Sequence, residues 1–132
     1  NERNSNPVLI YVYTSWCGIC KKQLPEINAI ANKFQNTDLK ILAIAIDKDG
    51  DKGNVIEHLE RLNNLYFKPF YIGNRSNFKE SLQTKSIKFN NKIPFLILID
   101  RNSDIINQSS GYRKFKYLNR KVMKLLAKKD AN

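Results

Sequence analysis

The stretch VLIYVYTSWCGICKKQLPEI, residues 8–27, decides how the chain is read. Residues 8–14 are a run of β-branched and aromatic side chains, the composition of a buried strand. From Gly18 the pattern changes. Leu24, Ile27, Ile30, Ala31 and Phe34 recur at intervals of three and four, with Lys21, Lys22, Glu26, Asn28 and Lys33 on other faces, so an amphipathic helix follows directly. Cys17 and Cys20 stand at the junction. Unpaired backbone amides and the helix dipole both favour an anion at that place, and the thiolate is the nucleophile of disulfide exchange. Cys20, one helical turn on, can reach back to Cys17. Gly18 is expected to take the turn and Ile19 to add an apolar flank. Pro25 falls inside the helix, where a proline removes a donor and kinks the chain.

Outward from this junction, residues 39–46 form a second apolar strand and residues 47–53 a polar loop. Val55, Ile56, Leu59 and Leu62 give residues 54–65 a helical period, and residues 66–72 read as extended around Pro69. Ser76 is placed to cap a short helix running to Thr84, and residues 87–93 form a polar approach to Pro94. Residues 95–100 and 104–109 make a hairpin that Gly111 ends. Residues 115–129 close the chain with an amphipathic helix carrying Leu118, Val122, Leu125 and Leu126. This order predicts an α/β fold, a central mixed β-sheet flanked by helices on both faces, in one domain over residues 1–132. No repeat or linker interrupts it.

With 132 residues, 42% of them hydrophobic, the chain can bury one core of ordinary density. No apolar run approaches the roughly 20 residues of a membrane span. Residues 1–7 lack the charged start and apolar stretch of a signal peptide, and the missing initiator Met points to a mature or trimmed form. The net charge of +11 and pI near 9.7 favour acidic partners, anionic membranes or nucleic acid in general. Lys and Arg are nevertheless spread along the chain, with modest clustering in residues 113–129 and no basic-aromatic recognition motif, so nucleic acid is not expected as a partner.

Both cysteines lie in one C-x-x-C, which leaves no disulfide framework and two options, redox chemistry or metal binding. A closed zinc site needs about four ligands. His58, the only histidine, sits between Glu57 and Glu60 in a helical stretch and reads as a surface residue, so neither a metal nor a cofactor beyond a redox-active Cys17–Cys20 pair is expected.

The W-C-G-I-C-K of residues 16–21, the helix proline Pro25, Ile93-Pro94 before an apolar strand, and Gly111 together resemble the thioredoxin superfamily in order and spacing, over nearly the whole chain. The S-W-C-x-x-C-K-K-x-L-P stretch, the strand ending in Asp47, the inserted middle segment and F-L-I-L-I-D look like the TlpA/ResA/CcmG branch, extracytoplasmic thioredoxins of bacteria. The resemblance implies a thioredoxin fold with a TlpA-like middle insertion, Cys17 as nucleophile and Cys20 as resolving thiol. It implies a cis bond before Pro94, which would pack beside the cysteines, and an Ile93 whose backbone meets the substrate as an added strand. Trp16, Gly18 and Ile19 would flank the site. The implied partners are a client protein with a disulfide or dithiol and a membrane or soluble thiol electron donor, served by a monomer. The implied place is the periplasm or its membrane face, with the signal or anchor outside the given sequence, and the implied task is reduction for cytochrome c maturation or copper-centre assembly.

Two positions depart from the pattern. Cytosolic thioredoxins carry a buried Asp six residues before the first cysteine, where this chain has Tyr11. The ResA-like branch carries Glu three residues after the second, where this chain has Gln23. Activation of Cys20 is then left to water, substrate or a more distant acid such as Glu26. Three other readings stay open. A DsbA-like oxidase or isomerase differs in potential and carries a long helical insertion that is hard to place here. A peroxiredoxin shares Thr14 three residues before Cys17 but needs a proline where Ile10 stands. A Sco-type copper-site assembly chaperone spaces its cysteines by three and adds a distal histidine.

Overall fold

In the computed structural model, which describes residues 6–48, 52–62, 64–73 and 75–127, the alternation of β1 (Val8–Tyr13) divides the core in two. Leu9, Tyr11 and Tyr13 point to one side and Val12 to the other, as a strand's period of two requires. On the first side lie α1 (Gly18–Lys33), α2 (Lys52–Arg61) and α4 (Phe115–Ala127), which contribute Leu24, Ile27, Ile30, Val55, Leu118 and Val122. Each such side chain contributes about 1.5–3 kcal/mol by leaving water. On the second side α3 (Arg75–Gln83) brings Leu82 against Val12 and Ile97.

The sheet is completed by β2 (Lys40–Ala45), β3 (Pro69–Tyr71), β4 (Phe95–Ile99) and β5 (Ile105–Ser110), in the order β3-β2-β1-β4-β5. β1 runs parallel to β2, and β2 to β3, whereas β4 is antiparallel to β1 and β5 to β4. This is the mixed sheet with helices on both faces that the sequence predicts. A central strand feeding directly into a helix leaves the β1–α1 junction at one end of the sheet. Val12 pairs with Phe95, so the register places Pro94 level with Tyr13 at that same end.

Several local expectations are corrected. Residues 87–93 are not merely polar: Ile87 and Phe89 are buried and fill the second core, while Lys88 and Asn90, which alternate with them, are exposed. The middle helix stops at Arg61 rather than 65, and Asn64 beyond it has φ 60, a left-handed conformation that asparagine tolerates. Ser76 lies inside the first turn of α3 instead of capping it. The last helix is described to Ala127, so the expected extension to 129 lies outside the described residues, as does the centre of the 47–53 loop. Gly111 has φ 97, where any other residue would be strained, and its amide donates to the Pro94 carbonyl at 2.8 Å.

Candidate active site

Cys17 is the N-cap of α1. Its backbone is extended (φ −79, ψ 115), and its Sγ accepts a hydrogen bond from the Cys20 amide at 3.2 Å. The cysteine thus fills the role that serine or aspartate usually plays at a helix start, with its sulfur at the positive end of the helix. The turn is made by Ser15 and Trp16 and closed by the Cys17 amide, which donates to the Thr14 carbonyl at 3.4 Å. Gly18 is simply the first helical residue and is absent from the left-handed region, contrary to the expectation that it would take the turn. Trp16 and Ile19 are exposed, 62% and 57%, and flank the pair; Cys17 is 9% exposed and Cys20 fully buried, both as free thiols. The Ile93–Pro94 peptide bond is cis, Pro94 is buried and Ile93 half-buried.

Cys20 lies among Thr14, Tyr11 and Cys17. Burial pushes its thiol up to about 12, and the hydrogen bond with Cys17 adds to the shift, while hydrogen bonds from the Thr14 backbone and the Tyr11 side chain oppose it. Tyr11 is fully buried, and its hydroxyl donates to the Cys20 carbonyl at 2.6 Å. Burial, and then negative charge on Cys20, push the ionisation of Tyr11 far upward, so it acts there as a donor and not as a base.

Gln23 has a different task. Its Oε1 accepts from the Arg113 amide at 2.7 Å and its Nε2 donates to the Arg113 carbonyl at 2.8 Å, tying α1 to the segment that precedes α4. Glu26, the acid expected to assist Cys20, instead accepts from the Tyr112 hydroxyl at 3.1 Å.

Asp47, Tyr13 and His58 complete the surroundings. The buried Asp47 carboxylate accepts from the Ser15 amide at 3.0 and 3.1 Å and from the Ser15 hydroxyl at 2.7 Å, fixing the two residues that lead into Cys17. Tyr13 stacks on Tyr11 with centroids 4.9 Å apart, and His58 Nε2 lies 3.4 Å from the Tyr13 hydroxyl. The reading of His58 as a surface residue is corrected: it is half-buried, three residues after the core residue Val55. That helical spacing was the available signal. His58, Trp16, Lys21, Leu24 and Arg61 line a groove of about 680 Å³ between α1 and α2. Among the described residues no three side chains of the His, Cys, Asp and Glu types come together.

Burial first, and then Lys21, hold His58 below its usual value against the pull of Asp47. A histidine that binds its proton less well folded than unfolded destabilises the fold as pH falls through the unfolded value of about 6.5. Denaturant titrations are therefore expected to show stability declining below that pH, and His58→Phe to remove this limb. An unchanged limb in the variant would contradict the assignment.

The Thioredoxin-like family model matches residues 4–105. Over 46 residues the chain is 42% identical to a thioredoxin-like protein of Synechocystis sp., a match covering 35% of this chain and 41% of the length of that relative. Among solved structures, a thiol:disulfide interchange protein DsbE of Chlorobium tepidum superposes with a TM-score of 0.74 at 20% identity, covering 95% of this chain and 83% of that one. StoA of Bacillus subtilis does so with a TM-score of 0.67 at 18% identity, covering 89% and 82%. At such identities the likeness is one of fold, an α/β thioredoxin-like arrangement of five strands and four helices.

Proposed function

The chain belongs to the thioredoxin-like family, and on that ground we propose that it is a thiol-disulfide oxidoreductase whose Cys17–Cys20 dithiol reduces disulfides in client proteins. Cys17 thiolate attacks one sulfur of the client disulfide. The client's second sulfur leaves as a thiolate and takes up a proton. Cys20 then gives up its proton and attacks Cys17 Sγ, the first client sulfur departs, and the protein is left with a Cys17–Cys20 disulfide. Two electrons have passed to the client, and a thiol donor restores the pair.

One observation carries the reading: the Cys17 sulfur caps α1 and accepts the Cys20 amide at 3.2 Å, so nucleophile and resolving residue are already in register. The exposed Trp16 and Ile19 offer apolar contact beside the sulfur, and the half-buried Ile93, at the same end of the sheet before the buried Pro94, offers backbone to an extended client segment. The low reactivity expected of a buried Cys20 suits its part. It acts only once the mixed disulfide has formed within a turn of it. By the TlpA-like pattern the clients are extracytoplasmic proteins, among them those awaiting haem or copper, and the protein works on the periplasmic side.

Reduction of insulin disulfides with dithiothreitol as donor tests this. Acceleration over dithiothreitol alone is the expected result. A rate equal to that of the donor alone would remove the proposal.

A further inference from the structure

The excess positive charge of this chain is concentrated in one place, which a tally of cations alone conceals. Residues 105–129 hold eight Lys and Arg and no Asp or Glu, a net +8, whereas the rest of the chain is only +3. In the structure this segment centres on α4. Lys116, Arg120 and Lys124 are exposed at steps of four, so they form one row along the helix at about 6 Å per step. Arg113, Arg120 and Lys121 lie 5.1, 5.8 and 5.5 Å from the Tyr117 ring. The ion pairs among the described residues, Arg61 with Glu57 and Arg101 with Asp38, lie elsewhere.

Like charges four apart weaken a helix, so the row does not serve the stability of α4, which comes from the opposite face of Leu118, Val122 and Leu125. Met123, 52% exposed, stands three residues after Arg120 and seven after Lys116, an apolar side chain within the row. The helix face is convex, and the larger cavities are lined by other elements.

We propose that the outer face of α4 docks the protein on an anionic phospholipid surface. A convex row of cations matches an extended plane of negative headgroups and needs no groove, and such a surface also receives the Met123 side chain at headgroup depth. A polynucleotide would satisfy the cations and leave Met123 without a partner. Gln23 clamps Arg113 at the start of this face to α1. The inference is independent of the oxidoreductase reading, since it rests on charge and exposure alone.

Co-sedimentation of the full chain with phosphatidylcholine vesicles, with and without phosphatidylserine, tests it. Binding is expected only to the phosphatidylserine vesicles, and to weaken as salt is raised. The triple variant Lys116→Glu, Arg120→Glu, Lys124→Glu is expected to lose about a hundredfold in partition. A control with the same charge change at exposed positions elsewhere, Lys40→Glu, Lys85→Glu, Lys88→Glu, is expected to keep most of it. Failure of the unaltered chain to sediment at low salt, equal losses in the two triple variants, or tighter binding to duplex DNA than to the anionic vesicles in one buffer would each overturn the proposal.

Discussion

Cys17→Ser is expected to bring insulin reduction down to the rate of dithiothreitol alone, and Cys20→Ser to stop the reaction one step later with the client held covalently. The two outcomes separate because the two sulfurs stand differently. Serine is itself a favoured N-cap, so Cys17→Ser keeps an acceptor for the Cys20 amide and leaves α1 intact. What it loses is the nucleophile, since a serine hydroxyl does not attack a disulfide. Cys20→Ser keeps Cys17 partly accessible and able to form the mixed disulfide, but no thiol remains one turn away to displace the client. Mass spectrometry under non-reducing conditions should show an adduct on Cys17 that dithiothreitol releases. An adduct on Cys20 in the Cys17→Ser protein would reverse the assigned roles.

The second large effect is expected at Gln23, and it is one of stability. Both polar atoms of this buried side chain are matched to the main chain of Arg113, 90 residues away, so Gln23→Ala leaves two backbone groups without partners. The cost is about 2–3 kcal/mol, or roughly 10 °C in melting temperature for a chain of this size. Gln23→Glu is the more telling change, because it installs the acid found in the ResA-like branch. A carboxylate still accepts from the Arg113 amide but has no proton to donate to the Arg113 carbonyl. The variant should therefore be weakened at neutral pH and regain stability relative to the unaltered chain on mild acidification, when the carboxyl is protonated and can donate. The sign follows from linkage: the folded state binds this proton more tightly than the unfolded chain, so the stability it brings is present at low pH and lost as pH rises. Denaturant titration at the two pH values measures it. A Gln23→Glu protein as stable as the unaltered chain at neutral pH would mean that the Arg113 clamp does not hold these segments.

The parts legible in the sequence are those with strong local periodicity. Residues 8–34 switch from a strand pattern to a helical one at Cys17, and that switch fixes the site at the end of the sheet. Apolar strands 40–45 and 95–99 were visible for the same reason. Where the pattern is short or mixed, composition misleads. In residues 87–93 the eye follows Lys88, Asn90 and Lys92, yet Ile87 and Phe89 alternate inward and are core. His58 has the charged neighbours of a surface residue, while its spacing from the buried Val55 points inward.

The remaining gaps come from long-range pairing. Tyr11 and Gln23 stood out as departures, but nothing local says that one meets the Cys20 carbonyl and the other the Arg113 backbone. Nor does the strand-ending Asp47 announce that it holds Ser15, 32 residues earlier. Glu26 is an acid near Cys20 in sequence, yet its carboxylate accepts from the Tyr112 hydroxyl. Such partners depend on how the sheet brings distant segments to one end.

The equilibrium between Cys17–Cys20 dithiol and disulfide tests the central claim most directly. The protein would be equilibrated with defined ratios of reduced and oxidised dithiothreitol, trapped by alkylation and weighed. A reversible two-electron couple with a potential near or below that of thioredoxin, about −270 mV, is the expected result. A potential near −120 mV would contradict the reducing direction, and the absence of any reversible couple would contradict the oxidoreductase itself.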